Sequence, residues 1–288
     1  MDHKVMFSVI IPAYNSGKLL PMLLNSLKSQ TYQSFEVIVC DDGSTDNTHE
    51  VVKSYQTELD IKYIKLKNHG GPAGPRNAGI NIASGQYCAF LDSDDQWYSN
   101  KLSCVLETFN QGYDWIYHDL DVFRDGIKVG VVKARDYNKE DAVVSLLTDF
   151  NPIPTSGMVV KTSLLRQVGL FKIEREYHFV EDYDYWLRLV KINTNSFAVK
   201  ASLGIYNDHV VNNSKRIDQI EKLGNLYDLY NKEIKSSEVE MAKKYAQFAL
   251  SFNAGNKSLC YELSKDMIRI KPFSFFTLKA LIKYFKLK

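Results

Sequence analysis

Short apolar runs alternate with amphipathic stretches through the first hundred residues of the chain. Four of the runs predict buried β-strands, at residues 6–11, 35–40, 61–66 and 86–91. The stretches between them predict helices at about 19–27, 46–58 and 75–83. Because strands that alternate with helices form βαβ units, the pattern predicts an α/β fold with a mixed, mostly parallel sheet flanked by helices.

Polar residues follow three of the predicted strands at their carboxyl ends. The segments are Pro12–Asn15, Asp41–Ser44 and Asp92–Asp95. Parallel strands direct their carboxyl ends toward one edge of the sheet, where open α/β proteins bind their ligands. We therefore expect the three segments to line one crevice that holds five aspartates and the ring of Tyr14.

The last of these segments, Asp92–Asp95, carries three carboxylates within four positions. Neighbouring carboxylates repel one another and raise one another's pKa unless a cation neutralises them. Oxygen-only ligands suit Mg²⁺ or Mn²⁺, which bind through one or two carboxylates together with substrate phosphates. The segment therefore predicts a site for Mn²⁺ or Mg²⁺. A solvated acidic turn is the alternative for this motif taken by itself.

Length and composition limit the classes of protein to consider. The 288 residues suffice for one large α/β domain with an appendage or for two modest domains. A formal charge of +2 gives no reason to expect a nucleic-acid partner, and the four cysteines lack the CxxC spacing of metal sites. We find neither a leader-like N-terminus nor an apolar run of the roughly 20 residues that span a bilayer, so we expect a cytoplasmic protein.

An acidic pair begins a helix that is predicted in the second half of the chain. Glu181 stands just before a set of residues at helical spacing, Asp182, Tyr185, Trp186 and Leu189. A carboxylate at a helix N-terminus is stabilised in its ionised form by the macrodipole, which suits a group that accepts a proton. The alternative is a helix cap without a role in catalysis.

The C-terminal region has a helical pattern from about residue 217 onward. Apolar residues recur at helical spacing in three segments, 217–234, 237–253 and 257–270. In the last stretch, residues 272–288, one helical face is apolar and another is basic; the apolar residues are Leu278, Leu281, Ile282 and Phe285. Such a helix either lies in an anionic membrane interface or packs on the rest of the protein.

Five motifs follow one another along the chain: Val9–Asn15, Ser29–Tyr32, Glu36–Asp46, Gly70–Gly79 and Phe90–Asp95. Together, in this order and spacing, they resemble the family 2 glycosyltransferases, and the resemblance extends over about residues 5–215. The QxxRW motif of the processive members is absent, which indicates a non-processive enzyme.

The resemblance implies a GT-A fold for residues 1–215. Its nucleotide-sugar-binding half would comprise about residues 1–100 and its acceptor-binding half residues 101–215, with a divalent cation between them. Residues 216–288 would then form a helical C-terminal extension.

The resemblance also implies a set of residues that bind the nucleotide-sugar. Asp41 is implied to bind the base, and the Tyr14 ring can stack on the base, which is worth about 1–3 kcal/mol, or cover the sheet edge instead. Arg76 can bind the diphosphate in fixed geometry, with an ordinary surface arginine as the alternative. The predicted set is Pro12, Tyr14, Asn15, Asp41, Arg76, Asp92 and Asp94.

The cation is implied to bind at Asp95 and Asp94, with Asp95 as the first choice. His209 is a third candidate ligand, because the family often has a histidine at this position. Asn207 stands where an arginine is expected, which leaves no charged contact there.

The implied reaction is an inverting transfer of a sugar from a nucleotide diphosphate-sugar, with a UDP-sugar as the expected donor. Asp182 is the implied general base and Glu181 the second choice. The acceptor would be a saccharide or a lipid-linked molecule in bacterial surface polysaccharide or glycoconjugate assembly, which agrees with a peripheral membrane contact through residues 272–288.

Two other functions are considered beside sugar transfer. Nucleotidyltransferases usually open with a Gly-rich, basic loop after the first strand, and this chain has no such loop. A non-catalytic nucleotide-sugar-binding protein is the second alternative. The sequence leaves open the donor's sugar and base, the acceptor and the oligomeric state.

Overall fold

The computed structural model describes residues 5–208 and 217–285, which form two compact units. The described residues within Met1–Asp136, Pro152–Ile173 and Arg188–His209 make the first unit. Those within Tyr137–Asn151, Glu174–Leu187 and Val210–Lys288 make the second. Each unit therefore draws on several stretches of the chain.

The first unit is built around one sheet, which has nine strands among the described residues. They are β1 (Phe7–Ala13), β2 (Phe35–Asp41), β3 (Ile61–Lys65), β4 (Tyr87–Phe90), β5 (Gln96–Trp97), β6 (Trp115–Arg124), β7 (Ile127–Val132), β8 (Val159–Lys161) and β9 (Ser196–Asn207). Their order across the sheet is β3-β2-β1-β4-β8-β6-β9-β5, and β7 pairs with β6.

The direction of strand pairing changes midway across the sheet. β1 is parallel to both β2 and β4, and β2 is parallel to β3. Beyond β4 the pairs are antiparallel, except that β6 and β9 are parallel. The predicted α/β fold with a mixed sheet is confirmed, and the continuous parallel part is the part that the βαβ pattern predicted.

Helices occur in both units. In chain order they are α1 (Leu20–Lys28), α2 (Thr48–Tyr55), α3 (Ala73–Ile82), α4 (Lys101–Phe109), α5 (Ala142–Thr148), α6 (Thr162–Val168), α7 (Glu181–Ile192), α8 (Ile217–Ile234), α9 (Ser237–Asn253), α10 (Lys257–Ile270) and α11 (Phe275–Phe285). The helix α7 begins in the second unit and ends in the first.

The parallel strands are packed between helices. Every residue of β1 and β2 is buried, as expected for parallel strands that are covered on both faces. The leucines that recur at helical spacing in α1 are all buried; they are Leu20, Leu23, Leu24 and Leu27. α3 approaches β1 so closely that a Cβ at Gly79 would lie 2.5 Å from Ile10 Cγ2, and glycine is required there for this packing.

The second unit is helical. The predicted segments 217–234, 237–253 and 257–270 coincide with α8, α9 and α10. Its core is formed by buried residues of α9, α10 and α11, among them Tyr245 and Ala280. The unit also includes residues that precede the predicted boundary near residue 215. Among the described residues, every helix is too short or too polar to span a lipid bilayer.

Candidate active site

The carboxyl ends of β1, β2 and β4 lie side by side in the first unit. Side chains join the segments that follow them. The Ser16 hydroxyl donates to the Ser93 hydroxyl at 3.0 Å, and the Asn15 N–H donates to the Ser44 hydroxyl at 2.8 Å. The three polar segments predicted to line one crevice are therefore brought together.

Asp41 is the last residue of β2 and is almost fully buried. One of its carboxylate oxygens accepts a hydrogen bond from the Ser44 N–H at 2.7 Å, and the other accepts one from the Tyr63 hydroxyl. Burial and the bond to Asp41 raise the pKa of Tyr63, so this hydroxyl stays protonated. Because a carboxylate offers about four lone-pair sites, Asp41 can accept a further hydrogen bond from a ligand.

The turn after β1 presents an aromatic ring to solvent. Tyr14 is 53% exposed, so about half of its surface is open to solvent. Asn15 has a left-handed backbone, with a φ of 48°, which asparagine adopts more readily than most residues. Its Oδ1 accepts a hydrogen bond from the Thr45 N–H at 2.9 Å. Pro12 is buried within β1.

Arg76 lies in α3 and is 3% exposed, which excludes the alternative of an ordinary surface arginine. Its Nη2 lies 2.7 Å from Asp92 Oδ1. The guanidinium carbon also lies 5.7 Å from the centroid of the Phe171 ring. The cationic group is therefore held at the acidic segment by an ion pair and by packing.

Asp42 organises the loop that leads into α3. Its buried carboxylate accepts hydrogen bonds from the N–H groups of His69, at 2.9 Å, and Gly70, at 3.2 Å. No ligand role is predicted for Asp42, and its hydrogen bonds position the glycine-rich loop that precedes Arg76.

Asp95 is the most buried carboxylate of the acidic segment, at 2% exposure. Its Oδ2 accepts a hydrogen bond from the Ser156 hydroxyl, and its Oδ1 accepts one from the Asn207 N–H at 3.1 Å. Burial, together with the charges of Asp94 and Asp92, raises the pKa of Asp95 well above its ordinary value. Asp92 and Asp94 themselves are half-buried.

Ser156 and Asn207 hold the acidic segment from two separate elements, and neither was predicted to be a site residue. Ser156, in a 3-10 turn before β8, also accepts a hydrogen bond from the Asp92 N–H at 3.1 Å. Asn207 ends β9 and donates through Nδ2 to the Asp94 carbonyl at 2.6 Å. They lie 61 and 112 residues from Asp95 along the chain, so no local pattern identifies them.

The predicted cation ligands are only partly covered by the structure. Within the described part of the chain, no group of three or more His, Cys, Asp or Glu side chains is arranged to hold a metal. His209 lies outside the described residues. Asp94 and Asp95 supply carboxylate oxygens, the ligand type that hard divalent cations prefer.

The acidic pair forms the start of α7, in the second unit. Glu181 is buried and Asp184 is fully buried, whereas Asp182 is only half-buried. Asp182 Oδ1 accepts a hydrogen bond from the Tyr183 N–H at 2.7 Å, and Asp184 accepts one from the Tyr230 hydroxyl at 3.2 Å. Of the three acids in this first turn, Asp182 is therefore the most accessible to a ligand.

Comparison with known proteins gives a consistent result. Residues 8–166 match the family model described as Glycosyl transferase family 2. The chain is 33% identical to WfaP of Escherichia coli, a UDP-Glc:alpha-D-GlcNAc-diphosphoundecaprenol beta-1,3-glucosyltransferase, over 192 residues. The aligned part covers 64% of this chain and 69% of WfaP.

A second relative is TarS of Staphylococcus aureus, a poly(ribitol-phosphate) beta-N-acetylglucosaminyltransferase. It is 48% identical over 210 residues, which cover 69% of this chain and 35% of TarS, so the chain spans about a third of that protein. The crystal structure of TarS 1–349 in complex with UDP-GlcNAc superposes with a TM-score of 0.69 at 20% identity. The superposition covers 98% of this chain and 90% of that chain.

A third similar protein is the mannosyltransferase PcManGT from Pyrobaculum calidifontis, solved in complex with GDP-Man and Mn²⁺. It superposes with a TM-score of 0.62 at 16% identity, over 97% of this chain and 86% of that one. At these identities the two structural comparisons show the fold, and they agree with the predicted GT-A fold.

The raised pKa of Asp95 generates a prediction about stability. The pKa of Asp95 is higher in the folded state than in the unfolded state, where it is about 3.9. Below the unfolded-state pKa the carboxyl group is protonated in both states and costs no stability. As the pH rises from there toward the folded-state pKa, the free-energy cost of its buried charge grows. In EDTA we expect Asp95→Asn to melt at a higher temperature than the wild type, by about 2–4 °C per kcal/mol, with a difference that grows as the pH rises above about 4. Thermal unfolding followed by circular dichroism measures this difference.

The matched control is Asp60→Asn, since Asp60 is exposed at the surface. It should give the same melting temperature as the wild type at each pH. Parallel pH profiles for the wild type and Asp95→Asn would show that the buried charge carries no such cost.

Proposed function

Because this chain belongs to glycosyl transferase family 2, we propose that it transfers a sugar from a UDP-sugar to a hydroxyl group of a saccharide or lipid-linked acceptor, with inversion at the anomeric carbon. The membership predicted from the sequence motifs is confirmed by the family match. The structural observation that carries the proposal is the joining of three strand ends at one edge of the sheet in the first unit, with a buried Arg76 and its Asp92 partner.

The crevice is the proposed binding site for the donor nucleotide. The exposed Tyr14 ring would stack on the uracil, and Asp41 would accept a hydrogen bond from the uracil N–H. Arg76 would bind the diphosphate in its fixed geometry. The proposed set is completed by Pro12, Asn15, Asp92 and Asp94. A uridine nucleotide is supported by the names of WfaP and of the TarS complex.

A divalent cation, Mn²⁺ or Mg²⁺, is proposed at Asp94 and Asp95. The site fits such a cation because its candidate ligands are carboxylate oxygens, which hard divalent cations prefer. A bound cation would also offset the burial of Asp95 and its repulsion by the charges of Asp94 and Asp92, which together raise its pKa. Asp95 remains the first choice for the ligand, and the half-buried Asp94 is the second. When bound, the cation would neutralise charge on the departing diphosphate. His209 stays a predicted third ligand.

Asp182 is the proposed general base, and Glu181, which is more buried, remains the second choice. As the acceptor oxygen forms its bond to the anomeric carbon, the acceptor proton would pass to an Asp182 oxygen. The bond between that carbon and the diphosphate oxygen breaks in the same step, and UDP leaves with the electron pair. The positive end of the α7 macrodipole keeps the carboxylate ionised before the reaction.

The family match favours sugar transfer over nucleotidyl transfer and over non-catalytic binding. Relatives act in glycan assembly, so we propose a role in bacterial surface polysaccharide or glycoconjugate biosynthesis. An assay with UDP-glucose or UDP-GlcNAc and an acceptor separates sugar transfer from nucleotidyl transfer and from non-catalytic binding. Only sugar transfer produces free UDP and glycosylated acceptor in equal amounts.

The first prediction for this mechanism concerns the base. Asp182→Asn cannot accept the proton, so we expect kcat to fall by about 10²–10⁴-fold, while UDP still raises the melting temperature as in the wild type. Glu262→Gln, a change at an exposed acid of the second unit, should leave kcat unchanged. If Asp182→Asn turned over near the wild-type rate, another residue would have to be the general base.

A second prediction concerns the nucleotide and the cation. A ligand at 100 times its Kd stabilises the folded state by about 2.7 kcal/mol, so UDP with Mn²⁺ should raise the melting temperature more than GDP, dTDP or CMP do. Asp94→Asn should remove the part of this shift that depends on Mn²⁺ and keep the rest. The cation proposal fails if EDTA changes neither the UDP shift nor the turnover.

The helix α11 bears on the proposed membrane contact. Ala280 packs into the core of the second unit, whereas the opposite side of the helix is apolar and open to solvent. We define the α11 apolar face as the exposed residues Phe275, Leu278, Ile282 and Phe285. Lys279 and Lys283 flank it, each within 6 Å of the Tyr245 ring.

The two sequence interpretations of this helix are thus compatible, since one face packs on the unit and the other is available. A basic helix with an exposed apolar face suits the interface of an anionic membrane, and the lipid-linked substrate in the name of WfaP supports such a location. We therefore propose a cytoplasmic enzyme that attaches peripherally through this face.

The membrane proposal predicts that the full chain floats with vesicles of anionic phospholipid. Replacing Ile282 and Phe285 by Ser should reduce the bound fraction at least about tenfold, because two large apolar side chains no longer transfer out of water. Ile127→Ser, which removes an apolar side chain of similar exposure on β7, is the control and should bind as the wild type. Equal flotation of all three proteins would dismiss the α11 apolar face as the contact.

A further inference from the structure

A cavity of about 320 Å³ lies in the second unit, between one face of α8 and the segment that leads into α7. The wall on the side of α7 includes Glu176, Tyr177 and Val180. Val180 directly precedes the acidic pair, and the proposed base Asp182 is two residues further on. The cavity volume lies at the lower end of the roughly 300–1,000 Å³ of small-molecule sites.

The wall on the side of α8 is one continuous helical face. Its residues recur at intervals of three and four positions and are Lys222, Asn225, Leu226, Asp228, Leu229 and Lys232. At a rise of 1.5 Å per residue, this face is about 15 Å long. It carries amino groups at both ends, an amide between them and leucines as the floor.

Buried tyrosines of α8 attach this wall to the first turn of α7. The Tyr230 hydroxyl donates to Asp184 Oδ1 at 3.2 Å. The hydroxyl groups of Tyr227 and Tyr183 lie 3.3 Å apart, and Tyr227 also donates to the Leu147 carbonyl at 2.7 Å. The cavity therefore has a fixed position relative to the acidic pair.

The backbone of the opposite wall is strained at one residue. Phe179 has a φ of 74°, which is a genuine outlier for a bulky side chain. The Lys222 amino group lies 5.0 Å from the centroid of the Phe179 ring and links the strained residue to α8. Strain of this kind persists where the surroundings hold it, and it concentrates at binding sites.

The chemistry of the lining selects one class of ligand. A sugar ring has apolar C–H faces and hydroxyl groups that both donate and accept hydrogen bonds. The cavity offers an aromatic ring and a leucine floor, donors such as Asn225 and Lys232, and acceptors in Glu176 and Asp228. A phosphate group is bound by hydrogen-bond donors alone and a lipid chain by apolar surface alone. Neither ligand therefore matches a cavity lined by donors, acceptors and apolar side chains.

We propose that this cavity binds a sugar ring of the acceptor. The inference rests on the proposed transfer reaction, in which an acceptor hydroxyl must reach Asp182. Tyr177 would stack on the C–H face of the ring, and the polar groups of α8 would bind its hydroxyls. The acceptor class is thereby narrowed to one that carries a saccharide close to the hydroxyl that reacts.

Saturation-transfer NMR on the full chain tests the cavity directly. The probes are the methyl glycosides of glucose, galactose and N-acetylglucosamine, with inorganic phosphate as competitor. We expect at least one glycoside to receive magnetisation at its ring C–H protons. Tyr177→Ala should weaken its binding about fivefold or more, since a stacked aromatic contact is lost. Asn225→Ala, a change at an exposed helix position, should weaken it without affecting the fold.

The control is Tyr261→Ala, which removes a tyrosine of α10 in the same unit that is 48% exposed and lies outside the cavity. It should keep the glycoside signal, and all variants should keep the UDP-induced thermal shift. Glycoside binding that is unaffected by both cavity variants, no binding of any glycoside, or displacement of the glycoside by phosphate would overturn the proposal. Glycoside binding without turnover of UDP-sugars would instead uphold the cavity and reject the transfer reaction.

Discussion

The burial of one carboxylate, that of Asp95, is the constraint on which the proposed donor site depends. A charge taken out of water is costly unless hydrogen bonds replace its hydration, and two of them come from Ser156 and Asn207. Ser156 lies in the turn before β8 and Asn207 ends β9, and both also hold the backbone at Asp92 and Asp94. The acidic segment therefore has its shape only when the antiparallel strands have assembled next to the parallel ones.

The proposed donor site also depends on close packing at the carboxyl ends of the parallel strands. Gly79 brings α3 against β1, and this position of α3 places Arg76 within reach of Asp92. Tyr63 and Asp42 then fix the neighbouring turns through hydrogen bonds to carboxylates. Most of the charged groups in the crevice are thus held before any ligand binds, which lowers the cost of ordering them upon binding.

The features that we propose to contact the acceptor or the membrane lie in the second unit. The acidic pair at the start of α7, the cavity beside α8 and the α11 apolar face all belong to its helices. Its core of aromatic and sulfur-containing side chains leaves one side of α11 unburied. The first unit thus contains the proposed donor site, and the second unit contains the proposed general base and the proposed acceptor contacts.

The local pattern of the sequence determined the strands, the helices and the polar segments at the strand ends, because each depends on neighbours within about one turn or one strand. The sequence also identified the family, because each family motif is a contiguous stretch of the chain. Only the tertiary structure decided that Arg76 is buried, that Tyr14 is exposed and that Asp95 is held by Ser156 and Asn207. These properties depend on residues tens of positions apart, and no periodicity records which distant side chain will satisfy a buried charge.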